Sequence, residues 1–233
     1  MKIIAITGAS RGIGKACAIK LAAPNVTLVL MARNEAELLS VAGLCEAKGA
    51  TVYVLALDLA KIDAIKDHIE HMKSVCGPIH TLINNAGIWI EQPFLEGNMA
   101  AWDMSVDVNL KAVMHLTRYT LESMPEGGSM VFIASTASKR TYAKGTNYCA
   151  VKHGIMGFAG ALFEDIRERG IKVCSIFPGV VNTDMHADDP SFDKTKMIQP
   201  EDIADAVAFV ISTPANICPT ELVLQPQKQP KKR

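Results

Sequence analysis

Short apolar runs alternate with longer segments of helical period from one end of the chain to the other, and this rhythm narrows the possible folds more than any other feature. The runs fall at positions 3–6, 26–31, 52–57, 82–83, 130–133, 173–177 and 222–224. Most lack the every-second-residue polarity of a half-exposed strand, so they read as strands covered on both faces. Between them, positions 12–23, 35–48, 60–75, 99–123, 147–169 and 201–212 carry helical periodicity. Parallel neighbours require crossover connections, and helices supply them. The pattern therefore predicts an α/β chain folded as a three-layer, doubly wound structure, with a parallel seven-stranded sheet and helices on both faces. A chain of 233 residues, about half of them apolar, suits one domain. Residues 1–225 read as that domain. The remainder, 226–233, reads PQKQPKKR; it is basic, has nothing to bury, and is expected to be a disordered tail.

Charge excludes some functions. Basic and acidic side chains balance at 24 each, so no whole-molecule field draws the chain to nucleic acid, and no nucleic-acid partner is expected. Four of the basic residues, Lys228, Lys231, Lys232 and Arg233, sit in the tail, which leaves the body mildly acidic. A small anionic ligand must then be held by a local site. Cys17, Cys45, Cys76, Cys149, Cys174 and Cys218 form no CxxC pair and read as free thiols in a reducing compartment. His68 and His71 share a helix face without other ligand types nearby, so no metal is expected. No apolar run approaches the ~18 residues of a membrane span, and no charged leader with a greasy segment opens the chain. A cytoplasmic protein with no membrane partner is the resulting expectation.

The first strand runs into Thr7-Gly8-Ala9-Ser10-Arg11-Gly12-Ile13-Gly14 and then a helix. A glycine-rich turn at that junction lets backbone approach a pyrophosphate, while the helix directs N–H groups and the positive end of its dipole at the anion. This placement is that of a Rossmann fold, although the spacing G-x-x-x-G-x-G differs from the general G-x-G-x-x-G fingerprint. The second strand ends Leu30-Met31-Ala32-Arg33-Asn34, with no acid until Glu35 to take the adenosine ribose. Arg33 offers a charged fork suited to phosphate, with Arg11 approaching from the glycine turn. The cofactor expected is NADP(H) rather than NAD(H).

Tyr148 and Lys152 are four apart near the start of a long helical segment, so they share a face. The ammonium is expected to lower the phenol toward neutrality, helped by the charge of oxidised nicotinamide, so that it can exchange a proton. Alone, Y-x-x-x-K is common on ordinary helices. Its companions are the glycine turn, Asn84-Asn85-Ala86-Gly87 after the fourth strand, Asn109, Ser135 after the fifth strand, and Pro178-Gly179-x-x-x-Thr183. Together these motifs resemble the short-chain dehydrogenase/reductase family, in its order and at its spacings, including 13 residues from Ser135 to Tyr148. The resemblance covers essentially residues 2–225.

What the resemblance implies is an NADP-binding catalytic domain that transfers a hydride between nicotinamide and a carbonyl or secondary alcohol, acting on CH–OH donors. The implied substrates are 3-oxoacyl thioesters, 3-hydroxy acids or general carbonyl compounds, as in a carbonyl reductase. Tyr148 would protonate the carbonyl oxygen, Ser135 would hydrogen-bond it, and Lys152 would lower the tyrosine pKa and hold the nicotinamide ribose. Asn109 would position a water beside Lys152. The cofactor would be held by Gly8, Ser10, Arg11, Gly12, Ile13 and Gly14 of the turn, by Arg33 and Asn34, by Asp58 and Leu59 at the adenine, and by Asn85, Ala86 and Gly87. Tyr148, Lys152, Pro178, Gly179, Val181 and Thr183 would complete its site, Thr183 at the carboxamide.

The chain departs from the family in places. Residues 138–144, Ser-Lys-Arg-Thr-Tyr-Ala-Lys, are unusually basic, so Lys139 or Arg140 could attract an anionic substrate such as a carboxylate or an acyl thioester carrier. After Thr183 the segment to Pro200 is short and acidic, with Asp184, Asp188, Asp189 and Asp193, and the family's glycine-rich ending is absent. Trp89, Ile90, Phe94 and Met185 are candidates to line a substrate pocket. A homodimer or homotetramer is implied, with helix 99–123 and the Tyr148 helix at the interface. A second reading is a catalytically silent NADP(H)-sensing regulatory or binding protein on the same fold; it predicts loss of Tyr148, Lys152 or Ser135, and all three are present.

Overall fold

The computed structural model describes residues 2–186 and 189–231. Its sheet has the order β3-β2-β1-β4-β5-β6-β7, with every neighbouring pair parallel. The central strands β1 (Lys2–Thr7), β4 (Thr81–Asn84), β5 (Ser129–Ile133) and β6 (Lys172–Pro178) are buried almost throughout, as is β2 (Val26–Ala32). The edge strands β3 (Thr51–Ala56) and β7 (Glu221–Leu224) are partly exposed. Continuous apolar runs are what a sheet covered on both faces demands.

Alternate residues of β1 feed opposite cores. Ile4 and Ile6 join one cluster, whose helical cover is α1 (Gly12–Leu21), α2 (Glu35–Glu46) and α7 (Pro200–Ser212). Ile3 and Ala5 join the other, under α3 (Ile65–Cys76), α5 (Ala112–Leu121) and α6 (Thr146–Ile166). Fully buried side chains such as Phe132 and Phe177 each contribute roughly 1.5–3 kcal/mol by leaving water. The helix starts are specified locally. The Asn34 side chain accepts from Glu37 N–H at 3.3 Å to cap α2, and the Asp202 carboxylate accepts from Gln199 N–H at 2.8 Å ahead of Pro200 in α7.

One expectation requires correction. The helical segment 99–123 is not one α-helix: α4 (Met99–Val106) passes into a π-helical turn, Asp107–Lys111, before α5 begins. That turn buries Asn109. The tail beyond β7 is placed against the protein: Asp193 N–H donates to Pro230 C=O at 2.7 Å, Phe192 and Lys231 form an antiparallel bridge, and Pro230 is buried. Asp188 of the acidic segment and Lys232 and Arg233 of the tail lie outside the described residues. Among the described residues, no helix is long and apolar enough to cross a membrane.

Candidate active site

The sheet order reverses between β1 and β4, the place where a doubly wound sheet opens a crevice beyond the carboxyl ends of its strands. At that crevice β1 ends on Thr7, whose hydroxyl accepts from Asn85 N–H and Ala86 N–H, each at 2.9 Å. The Asn85 side chain donates back to Thr7 C=O at 2.9 Å. These bonds join the glycine turn to the end of β4. Gly8 and Gly12 take φ of +65° and +54°, which other residues rarely adopt. Gly14 is required by packing, because an added Cβ would stand 2.2 Å from Gly8 O. It packs behind the turn, whereas Gly8, Ser10, Arg11, Gly12 and Ile13 line the cleft. No side chain caps the start of α1, which leaves first-turn N–H groups available to an anion.

Ser135, just beyond β5, begins a short 3₁₀ turn, and its Oγ accepts from Ala137 N–H at 3.1 Å, which fixes its rotamer. Its hydroxyl stands within hydrogen-bonding reach of the Tyr148 phenol. Lys152, one turn farther along α6, donates to Ile133 C=O at 3.2 Å, with Nζ 5.7 Å from the centre of the Tyr148 ring. Asn109 reaches the same place from the π-helical turn. Its Oδ1 accepts from Ile88 N–H at 3.1 Å, and its Nδ2 donates to Ile88 C=O and Ser105 Oγ, each at 3.0 Å. A Cβ on Gly87 would stand 2.7 Å from Asn109 Oδ1 and 3.7 Å from Lys152 Nζ, so glycine is what permits these groups to converge.

The electrostatics differ from expectation in one respect. The phenol is raised overall rather than lowered: burial pushes Tyr148 up to about 12, with the Ser135 hydrogen bond opposing it. Burial likewise lowers Lys152 to about 8, near enough to neutrality for the amine to exchange protons. The cost of charging either group in a dry site outweighs their mutual effect.

These residues share one cleft of about 1370 Å³. It also takes in Arg33, Asn34, Asp58, Leu59, Asn85, Ala86, Gly87, Pro178, Gly179, Val181 and Thr183. That volume exceeds the ~300–1,000 Å³ of a site for one small ligand, and it has room for two. A family model described as short chain dehydrogenase matches residues 2–194.

The chain belongs to the short-chain dehydrogenase/reductase family.

As a member of that family it is an oxidoreductase. Similar sequences include an uncharacterized oxidoreductase of Staphylococcus saprophyticus, 31% identical with 97% of each chain covered, and one of Staphylococcus aureus, 30% identical with the same coverage. Among solved structures, an alcohol dehydrogenase from the archaeon Thermococcus sibiricus, complexed with 5-hydroxy-NADP, superposes with a TM-score of 0.90 at 26% identity over 100% of both chains. A short chain dehydrogenase from Burkholderia cenocepacia in complex with NADP gives 0.87 at 29% identity over 96% of each.

Several site residues of this oxidoreductase already have partners within the chain. Arg11 is drawn to Asp184 in an exposed pair at 3.3 Å, while Arg33 has no ion-pair partner among the described residues. Asp58 accepts from Ala60 N–H at 3.1 Å, which shapes the loop after β3. Trp89 and Met185 line the cleft, but Ile90 and Phe94 do not, and Phe94 instead packs on Trp102. Sequence reasoning missed the Thr7 hydroxyl as the tie between β1 and β4. It also missed Ile88, Met104, Val108, Tyr142 and Phe192 as cleft walls. The hydrogen bond from Trp89 Nε1 to Tyr142 Oη, at 3.1 Å, joins residues 53 apart, and no local pattern reveals it.

Proposed function

We propose that this chain is an NADP(H)-dependent oxidoreductase that moves a hydride between nicotinamide and a carbonyl or secondary alcohol. The observation that carries the reading is the convergence of Ser135, Tyr148 and Lys152 in the cleft that the glycine turn opens into. When bound, the nicotinamide supplies the hydride that reaches the carbonyl carbon. The chain's own part is geometry and a proton. Ser135 donates a hydrogen bond to the carbonyl oxygen, and Tyr148 gives that oxygen its phenolic proton as the C–O double bond opens. Lys152 holds the nicotinamide ribose hydroxyls, and its ammonium stabilises the phenolate left behind. Asn109 is better suited to holding the 87–88 backbone beside Lys152 than to holding water, since both ends of its amide are engaged.

The preference for NADP(H) rests on Arg33, which lines the cleft and has no ion-pair partner among the described residues. Glu37 lines the same end, so the two cofactors must be compared directly. The reading includes a small-molecule substrate and a reducing, cytoplasmic setting, which six free cysteines suit. It also includes a homodimer or homotetramer built on the 99–123 segment, which is α4, the π-helical turn and α5, and on α6. Gly157 and Gly160 of α6, where an added Cβ would meet nothing within 4 Å, keep that helix face flat. The test is to incubate the protein with NADPH and a panel of oxo acids, oxoacyl thioesters, diketones and aldehydes, following loss of reduced cofactor. Carbonyl-dependent oxidation is expected; none across the panel would overturn the reading.

A further inference from the structure

The basic stretch between Ser135 and Tyr148 contains two neighbouring cations, and the structure separates them. Lys139 is committed elsewhere: its Nζ pairs with Glu221 on β7 at 2.7 Å and stands 4.4 Å from the centre of the Phe177 ring. It does not line the cleft. Arg140 does, and among the described residues it has no ion-pair partner. Its backbone is fixed on both sides of the reactive centre, by donation of Arg140 N–H to Thr136 C=O at 3.2 Å and by a contact of Cys149 Sγ with Arg140 C=O at 3.9 Å. Thr136 follows Ser135 and Cys149 follows Tyr148, so the arginine is positioned by the neighbours of both proposed catalytic hydroxyls. Thr141 and Tyr142 line the cleft beside it. The Tyr142 hydroxyl accepts from Trp89 and keeps its own proton to donate, and burial raises that phenol above its ordinary value, so it stays neutral.

We infer that Arg140, with the hydroxyls of Thr141 and Tyr142, forms an anion-binding subsite that selects carbonyl substrates carrying a carboxylate. This rests on the oxidoreductase reading above and narrows its substrate class. A single guanidinium presents two parallel N–H donors matched to one carboxylate. The other charged groups in this part of the cleft favour a monoanion. Glu91 contributes an opposing negative charge, Asp184 is paired with Arg11, and Lys152 is buried beside Tyr148. A doubly charged phosphate would meet the repulsion of Glu91 twice over, with Arg140 the one unpaired cation beside it among the described residues. A carboxylate held by Arg140 would set the distance of the reacting carbonyl from Ser135 and Tyr148, which converts binding into orientation.

The test compares a series of oxo acids with their methyl esters as substrates for NADPH oxidation, and reads the acid-to-ester ratio of kcat/KM. The native protein is expected to favour the acids by about tenfold or more, the worth of one charge-assisted contact of ~1.4 kcal/mol. Arg140→Ala should bring the ratio near one, and Arg140→Lys should restore part of it. Lys139→Ala should leave it where it was. A variant that is merely less well folded loses acid and ester turnover together and leaves the ratio unchanged. That outcome at Arg140, or a native protein that reduces the esters as well as the acids, overturns the subsite while leaving the oxidoreductase reading standing. Oxidation of NADPH by neither series removes both.

Discussion

Replacing Gly14 by alanine is the sharpest test of how the glycine turn is built. The added methyl would stand 2.2 Å from Gly8 O and 2.7 Å from both Gly8 C and Asn85 Nδ2. An unstrained carbon–oxygen approach is about 3.3 Å, so the gap is short by about 1 Å. The obstacle is backbone rather than the end of a flexible side chain, which puts the cost near the upper end of overpacking, about 3 kcal/mol. Alanine returns about 1 kcal/mol through its higher helix propensity. The net loss is then about 2 kcal/mol, and at about 2–4 °C per kcal/mol for a chain of this size, Tm should fall by about 4–8 °C. Thermal unfolding measures this, with NADPH binding alongside, because a turn displaced from Asn85 no longer presents its N–H groups correctly. Gly43→Ala in α2 is the matched control: nothing lies within 4 Å of its added Cβ, so stability should hold or rise by up to about 1 kcal/mol. If Gly14→Ala melts with the native protein and binds NADPH as tightly, the turn is not packed as described.

Other predictions address separate parts of the account. Arg33→Ala should lower kcat/KM with NADPH by about tenfold or more, the loss of a charged phosphate contact, and leave NADH little changed; equal losses would mean that Arg33 does not read the 2′-phosphate. Lys152 is lowered to about 8 from 10.5, so between those values the unfolded chain binds more protons than the folded one. The native protein should therefore gain stability relative to Lys152→Met as pH rises through that window, by at most about 3 kcal/mol, and a flat difference in denaturant midpoints would contradict the burial argument. Removing residues 226–233 takes away the bridge to Phe192, a cleft wall, and should raise substrate KM more than it weakens NADPH; unchanged KM would show that the tail does not support that wall.

The alternation of apolar runs and helical segments made the layered sheet legible before any coordinates, because strands buried on both faces cannot disguise their composition. Tyr148 and Lys152 were legible as neighbours because four residues on a helix bring them to one face, whereas Ser135 and the glycine turn were joined to them by the family resemblance. Other features depend on contacts that spacing does not encode. The π-helical turn at Asp107–Lys111 interrupts a segment whose apolar period runs on through it, and only the bonds of Asn109 to Ile88 show why it is there. The upward shift of Tyr148 follows from burial, which is a property of the packed helix and not of the four-residue interval to Lys152. Lys139 and Arg140 look equivalent in the sequence until Glu221, 82 residues away, takes one of them. The tail reads as solvated by composition, yet Pro230 C=O accepts from Asp193 N–H.

The proton assigned to Tyr148 is tested most directly by substituting phenylalanine and measuring turnover together with NADPH affinity. Loss of one positioned proton donor should reduce kcat by about 10²–10⁴-fold while the cofactor binds nearly as before. A Tyr148→Phe protein that reduced carbonyls at the native rate would contradict the account at its centre.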